Sequence, residues 1–354
     1  MIELDGNYGE GGGQIIRTAL AFSMLTQQPF HAVGIRTGRP EPGLKSQHLH
    51  GITALRKLSQ CRAEGAELGS TELSFYPAPL TAQSITVNIG TAGSATLLLQ
   101  AVLLPCMFAE KKMSITLKGG TDVRWATPID HFTNVLVPHL RCFCSMDVHC
   151  PKRGYFPKGN GEVEITISQI IHHGSSFGSL LEKIKSAIAP YDLVRQGNLL
   201  KIRGLSHASS GLKKASVAER QAHAAKAQLL KHHPNAEISI KKEYQETDSA
   251  GSGITLWASF DSGAILGADA LGEQGLQSEE IGKRAALQLT GEITSGAAVD
   301  SHTADQLIPF LALAGGTIRT SAITPHAETN VYAVGKFLGT SLTINKTQNT
   351  LSRL

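Results

Sequence analysis

Residues Gly9–Leu25 read GEGGGQIIRTALAFSML, in which a glycine loop opens directly into an apolar helical pattern. Four glycines surround one carboxylate, Glu10, and the apolar residues that follow recur at helical spacing. The first N–H groups of such a helix have no partner within it, so they point toward any anion placed there. Arg17 in the first turn is slightly unfavourable for the helix itself, which suggests an anion to meet it. A solvated arginine on a tight turn is the alternative.

The composition is that of an ordinary folded protein and excludes several classes. The 354 residues are 41% apolar and 18% charged, with a net charge of +4 that permits an anionic partner without demanding one. Aromatic residues, at 5%, are too few for a stacking platform along a long single strand of nucleic acid. The longest apolar run, Ala95–Phe108, is too short for a membrane span. We expect neither a secretory signal nor a membrane partner.

The five cysteines form an odd set, which predicts free thiols and a reducing, cytoplasmic location. Cys142, Cys144, His149 and Cys150 lie close together in the sequence and could be interpreted as a metal cluster. Their spacing matches no standard zinc pattern, so core or surface thiols are the favoured interpretation.

The pattern of small-residue loop, apolar helix, strand, polar turn, second helix and strand occurs three times. In the first copy we expect a strand over Phe30–Arg36 and a helix over Leu44–Leu58. The second copy starts at Gly90–Ser94 and the third at Ser301–Gln306. Residues between the last two copies do not fit the period. The sequence therefore predicts an α/β (α+β) protein with a large domain from residues 1–178 and 297–354, and a smaller inserted α/β domain from residues 179–296.

Several polar residues interrupt this pattern and are candidates for a site. Arg17, Arg36 and Arg39 could form an anion clamp, because a guanidinium matches phosphate oxygens in a bidentate way; solvated arginines are the alternative. Gln100 interrupts an apolar helix and either faces solvent or has a function. Asp305 and Gln306 open another apolar helix, where an acidic residue is ordinary. The standard phosphate-binding and dinucleotide-binding glycine motifs are absent from the sequence.

His326 follows Pro325 at the start of the last predicted helix. A helix N-terminus disfavours the imidazolium, so the ring tends to stay neutral near pH 7, and a neutral imidazole can attack phosphorus. A capping or surface histidine is the alternative. The residues alone give no reason to prefer His326 over His48 or His302 as the functional histidine.

Six ordered sequence blocks closely resemble the RNA 3′-terminal phosphate cyclase family. The blocks are GNYGEGGGQIIRTALAFS, IRTGRPEPGLKSQHL, GTAGSATLLLQ, GGTD, SHTADQLIPFLALAGG and HAETN. The resemblance implies three βαβαββ repeats and a smaller inserted α/β domain. It also implies that ATP is used to convert a 3′-phosphate at an RNA end into a 2′,3′-cyclic phosphodiester, and that the partners are RNA 3′-phosphate ends.

The same resemblance assigns roles to residues. It implies that His326 is the nucleophile of a covalent histidine–AMP, and that Glu10 lies near the nucleotide phosphates and a divalent metal, Mg or Mn. It further implies nucleotide-binding residues at Gln100, Pro128, Asp305 and Gln306, and residues that bind the RNA end at Arg17, Arg36, Arg39, Gln47 and His48. A homodimer is left open.

Two alternative functions are compatible with the same resemblance. One branch of the family consists of ribosome-biogenesis proteins that lack the nucleophilic histidine, so a non-catalytic RNA-binding protein is the first alternative. An enolpyruvyl transferase on the related repeat is the second. His326 favours the catalytic branch.

Overall fold

The computed structural model describes residues 1–339 and 342–353. Within these ranges the protein is a mixed α/β structure with four four-stranded sheets and helices packed against them, so the predicted fold class is confirmed. None of the helices in the described ranges combines the length and the apolar character that a membrane span needs.

The first sheet is built around the glycine loop. Its elements are β1 (Ile2–Asp5), α1 (Gln14–Thr26), β2 (Phe30–Val33), α2 (Ser46–Leu58), β3 (Arg62–Glu64) and β4 (Leu73–Tyr76). The strand order is β1-β2-β4-β3, in which β1 and β2 are parallel and the other neighbours are antiparallel. The two parallel strands are joined by α1, as a parallel pair requires a crossover.

The second sheet has the same order of elements. They are β5 (Ser84–Asn88), α3 (Ala95–Met107), β6 (Met113–Gly119), a helical segment, β7 (Cys144–Lys152) and β8 (Gly161–Gln169). The helical segment consists of α4 (Ile129–His131), a π-helical turn (Phe132–Leu136) and α5 (Val137–His139). The strand order β5-β6-β8-β7 repeats the directions of the first sheet.

The third sheet is formed by segments that are distant in the chain. Its elements are β9 (Tyr191–Leu193), α9 (Ser301–Ala314), β14 (Gly316–Arg319), α10 (Pro325–Leu338), β15 (Thr343–Asn345) and β16 (Thr350–Arg353). Strand β9 is parallel to β14, and the order β9-β14-β16-β15 again repeats the directions of the first sheet.

The fourth sheet lies in the chain between β9 and α9. Its elements are β10 (Leu199–Ser209), α7 (Val217–His232), β11 (Glu237–Gln245), β12 (Ser252–Phe260), β13 (Ile265–Leu271) and α8 (Ser278–Thr294). Helix α6 (Phe177–Ala187) precedes β9 and packs against α9. The sheet order is β11-β10-β12-β13, and α7 packs against α8. The domain limits at residues 179 and 296 stay a prediction; because β9 pairs with β14, strand pairing favours a later start, after Leu193.

Helix α1 is the central helix of the described structure. All thirteen of its residues are buried, and it packs against α2, α3 and α10, which belong to the three sheets of equal strand order. The polar residues of α1 must therefore find partners inside the protein, because an unpaired polar group that is buried costs free energy.

The strand predicted over Phe30–Arg36 is shorter in the structure and ends at Val33. Gly34 and Arg36 both have left-handed backbone conformations, with φ of 66° and 57°, which a strand cannot accommodate. The chain therefore turns at Arg36. The helix predicted over Leu44–Leu58 begins two residues later, at Ser46.

A buried ionic network joins the second and fourth sheets. The side chain of Arg153 is only 2% exposed, and its guanidinium donates to Asp122 at 3.1 Å and contacts Asp130 at 2.9 Å. The ring of His207 on β10 lies 3.4 Å from Asp122 and bonds to the Tyr155 hydroxyl at 2.7 Å. Desolvation by burial raises the pKa of Asp130 to about 6, while Arg153 opposes that rise.

Replacing Arg153 by methionine should leave two buried carboxylates without their cation. We expect the Arg153→Met protein to lose about 3–5 kcal/mol of unfolding free energy at pH 8, measured by urea unfolding. The loss should be smaller at pH 5, because protonation of the aspartates removes the uncompensated charge. The matched control is Lys185→Met, which removes an exposed contact with Glu182 and should cost about 0.5 kcal/mol or less. An equal loss at both pH values would contradict this account.

Candidate active site

Three separate parts of the chain meet at Glu10. The carboxylate lies in the glycine loop before α1, and its Oε1 is 2.6 Å from Nδ1 of His326 at the start of α10. Its Oε2 is 3.3 Å from Nη2 of Arg39, in the turn after β2. A side chain at Gly12 would place its Cβ 2.5 Å from Glu10 Oε1, so the glycine leaves room for the carboxylate to turn toward His326.

The His326 ring lies at the start of α10 with its Nδ1 against the Glu10 carboxylate. Thr324 caps α10 by accepting from the Ala327 N–H at 3.0 Å, which places His326 in the first turn. At 2.6 Å from a carboxylate oxygen, Nδ1 is the ring nitrogen at which the negative charge favours a proton, so we assign the proton of the neutral ring to Nδ1 on electrostatic grounds. Nε2 then carries a free lone pair, on a side chain that is half exposed.

The pKa of His326 lies below its ordinary value of 6.5. Desolvation by burial is the largest cause, the Glu10 carboxylate opposes it, and the charges of Arg17 and Arg39 add to it. The ring is therefore neutral near pH 7. A neutral imidazole with an exposed Nε2 lone pair is a nucleophile or a general base.

Arg17 is fully enclosed, with 7% of its surface exposed. Its Nε donates to Gln100 Oε1 at 2.7 Å and its Nη2 donates to Gln14 Oε1 at 2.7 Å. Burial lowers its pKa to about 10, which keeps it charged at neutral pH. The predicted alternative for Arg17, a solvated surface arginine, is wrong, and Gln100 faces Arg17 rather than solvent.

A second buried chain of hydrogen bonds was not anticipated from the sequence. Gln14 Nε2 donates to Asn330 Oδ1 at 2.9 Å, and the Thr18 hydroxyl donates to the same oxygen at 2.6 Å. Asn330 Nδ2 donates to the backbone carbonyl of Asp305 at 2.8 Å. The available signal was that Gln14 and Asn330 are polar residues within otherwise apolar helical patterns.

The predicted nucleotide-binding residues Asp305 and Gln306 lie in the first turns of α9, and Pro128 directly precedes α4. The Thr324 hydroxyl donates to Asp305 Oδ1 at 2.6 Å, and burial raises the pKa of this carboxyl to about 7. Gln306 Nε2 reaches the Thr127 hydroxyl at 3.3 Å, next to Pro128, which is the residue before α4. Asp305 is thus hydrogen-bonded to Thr324, the N-cap residue of the helix that carries His326.

The turn after β2 presents two arginines with spare donors. Nη2 of Arg36 donates to the Glu41 carbonyl at 3.4 Å, while the Nε atoms of Arg36 and Arg39 are buried and have no partner in the described residues. Desolvation, followed by the neighbouring charge of Arg39, lowers the pKa of Arg36. Two adjacent guanidinium groups with unused donors fit an anion that bridges them.

His48 is completely buried against the glycine loop. Its Nδ1 accepts from the Lys45 N–H at 2.9 Å, so in the neutral ring the proton is on Nε2, which has no partner in the described residues. Burial and Arg17 lower its pKa to about 3. A Cβ at Gly13 would lie 2.0 Å from Nε2, so only glycine fits there. Gln47 is partly buried nearby, with no side-chain hydrogen bond found in the described part of the chain.

The donor set fits phosphate groups. Helix α1 begins without a side-chain cap, which leaves its first N–H groups available, and three arginines lie around the same glycine loop. The Glu10 carboxylate could bind a hard divalent metal, whose other ligands would be phosphate oxygens. The group Asp122, Asp130 and His207 also has metal-ligating atoms within 4.8 Å of one another, but both carboxylates are already paired with the Arg153 guanidinium.

Comparison with known proteins identifies the family. Residues 8–344 match the family model described as RNA 3′-terminal phosphate cyclase. The chain belongs to this family. A Pyrococcus abyssi protein with that name is 42% identical over 340 residues, which covers 96% of this chain and 94% of the relative. Proteins of the same name from Archaeoglobus fulgidus and Methanopyrus kandleri are 42% and 39% identical, and each alignment covers at least 95% of both chains.

The contact between Glu10 and His326 makes a prediction about ring titration in this cyclase-family protein. We expect the His326 ring to titrate below pH 6.5 by NMR, with its signals assigned by their loss in His326→Gln. The Glu10→Gln variant should lower this pKa further, because the carboxylate favours the charged ring. Glu182→Gln on α6 is the matched control and should leave it unchanged. A midpoint above 6.5, or a rise in Glu10→Gln, would show that the carboxylate does not act on this ring.

Proposed function

We propose that this protein is an ATP-dependent RNA 3′-terminal phosphate cyclase, which converts an RNA 3′-phosphate to a 2′,3′-cyclic phosphodiester. The observation that carries the proposal is the 2.6 Å contact between Glu10 and Nδ1 of His326, which leaves Nε2 free as a nucleophile. The names of the relatives support the same activity. The presence of His326 argues against the non-catalytic branch of the family.

The proposed reaction has three steps. His326 Nε2 attacks the α-phosphorus of ATP, a histidine–AMP bond forms, and pyrophosphate leaves. An oxygen of the RNA 3′-phosphate then attacks the same phosphorus, which frees His326 and gives an RNA-(3′)pp(5′)A end. In the last step the vicinal 2′-OH attacks the 3′-phosphorus and expels AMP. This step is intramolecular, so positioning carries much of it.

The predicted residues other than Gln47 and His48 each have a task in this reaction; a role of Gln47 and His48 in binding the RNA end stays a prediction. Glu10 keeps the Nδ1 proton on His326 in the first step, and Arg39 holds Glu10 from its other oxygen. Arg36 and Arg39 bind the RNA phosphate with their unused donors, while buried Arg17 stabilises negative charge beside the glycine loop. Asp305, Gln306, Gln100 and Pro128 form the nucleotide side of the site. Glu10 would also hold a divalent metal, Mg or Mn, which offsets the triphosphate charge when bound.

The cellular location of the enzyme stays a prediction. The five cysteines are all free in the structure, which supports a reducing, cytoplasmic location. Cys142 is exposed in the turn before β7, and Cys144 is buried at the start of that strand. A homodimer also stays a prediction.

The decisive experiment for the nucleophile uses α-labelled ATP and a denaturing gel. Wild-type protein should take up label and lose it in mild acid but keep it in alkali, because a histidine–AMP bond is a phosphoramidate. His326→Ala and His326→Asn should take up none. His232→Ala, on the exposed end of α7, is the matched control and should label normally. Acid-labile AMP on folded His326→Ala would exclude His326, and a wild-type protein that binds RNA without any label would favour the non-catalytic alternative.

The arginine turn gives a second functional prediction. If Arg39 binds the RNA phosphate, Arg39→Ala should slow modification of the RNA end by about 10- to 100-fold, the value of a hydrogen bond to a charged group. Self-adenylation, measured in the same preparation without RNA, should fall less. Arg56→Ala, whose guanidinium bonds a backbone carbonyl at the far end of α2, is the control and should leave both steps intact. Equal losses in both steps would indicate that Arg39 binds ATP rather than the RNA phosphate.

A further inference from the structure

Two tyrosine rings are stacked beside the glycine loop. The centroids of Tyr8 and Tyr332 are 3.9 Å apart and their planes differ by 12°. The hydroxyl oxygen of Tyr332 accepts a hydrogen bond from the Asp5 N–H at 2.9 Å, which fixes the Tyr332 ring against the end of β1. The pair is therefore an oriented aromatic surface rather than a loose side chain.

Tyr8 is the solvent-facing member of this pair. Its surface is 42% exposed although one face lies on Tyr332, so the exposed area belongs to its other face and its edges. Single exposed aromatics are common on protein surfaces and need no explanation by themselves. Here the exposed ring is pre-oriented by a second ring, which is the arrangement that lets a further planar group stack with little loss of side-chain entropy.

The two rings belong to the two segments that carry the reacting groups. Tyr8 precedes Glu10 by two residues, so their Cα atoms are at most about 7 Å apart. Tyr332 follows His326 by six residues on α10. Glu10 and His326 are themselves in contact at 2.6 Å. The aromatic surface is therefore built from the same loop and the same helix that bring Glu10 and His326 together.

We propose that Tyr8, supported from behind by Tyr332, stacks on the nucleobase of the 3′-terminal nucleotide of the RNA. The proposal rests on the proposed cyclase function and adds a positioning residue to it. The stacking holds the terminal ribose so that its 2′-OH faces the 3′-phosphorus. Because every base has a π-face, the contact accepts any terminal base, and Lys336, with Nζ 5.5 Å from the Tyr332 ring centroid, adds positive charge beside it.

The kinetic test removes the ring and the base separately. Two RNA 3′-phosphates are compared that differ only in the presence of the terminal base. With wild-type protein, the abasic RNA should be cyclised with a kcat/KM about 5- to 150-fold lower, the range for one stacked base. Tyr8→Leu should lower kcat/KM on the normal RNA by a similar factor and show little further loss on the abasic RNA. Tyr8→Phe keeps the ring and should behave as wild type.

Controls separate stacking from a structural role of Tyr8. Self-adenylation needs no RNA and should be unchanged in Tyr8→Leu; an equal loss of self-adenylation would show that the ring merely supports the glycine loop. Tyr76→Leu removes a partly exposed tyrosine that contacts Arg62 on the first sheet, and it should leave the base effect intact. A Tyr8→Leu protein that still discriminates fully against the abasic RNA would overturn the proposal.

A direct readout uses RNA with 2-aminopurine as its terminal base. Its fluorescence should be quenched on binding to wild type and to Tyr8→Phe, and much less on binding to Tyr8→Leu at saturating protein. Quenching that depends on Tyr8 only when the probe is at the penultimate position would overturn the assignment to the terminal base. A wild-type protein that forms no AMP adduct and no cyclic end would refute the proposed function, whereas normal cyclisation without a base effect would refute only this inference.

Discussion

The contact between Glu10 and His326 depends on most of the surrounding structure. Glu10 reaches the ring from the glycine loop, where the absence of a side chain at Gly12 leaves room for its carboxylate. His326 lies in the first turn of α10 because Thr324, two residues earlier, caps that helix. Thr324 is in turn bonded to Asp305 on α9. A single imidazole nitrogen is thus oriented by a loop of the first sheet and two helices of the third.

Burial of α1 imposes a second constraint, since its polar residues must be paired inside the protein. Arg17 reaches α3 through Gln100, while Gln14 and Thr18 reach α10 through Asn330. Each bond joins helices that pack on different sheets. Because a buried group left without its partner is costly, these contacts favour one arrangement of the three helices over others. The same contacts use Nε and Nη2 of Arg17 and leave its Nη1 without a hydrogen bond in the described residues.

Local sequence pattern predicted the features that local physics determines. The glycine loop with Glu10, the helix that follows it and the position of His326 near a helix start could all be derived from spacing and composition. The resemblance to the cyclase family added the roles of the residues, which pattern alone left open. The strand over Phe30–Arg36 was predicted too long because the left-handed conformation of Arg36 is set by the turn that follows, not by its β-propensity.

Long-range pairing could not be predicted in the same way. Strand β9 has three residues and pairs with β14, more than a hundred residues later, so no periodic signal marks it. The partners Gln14 and Asn330 are 316 residues apart, and their contact exists only once α1 and α10 are packed. The most direct test of the account is to locate the covalent AMP by mass spectrometry of peptides produced in alkali after incubation with ATP. We predict AMP on the peptide that contains His326 and on no other; AMP on a different residue, or cyclised RNA without any protein-bound AMP, would contradict it.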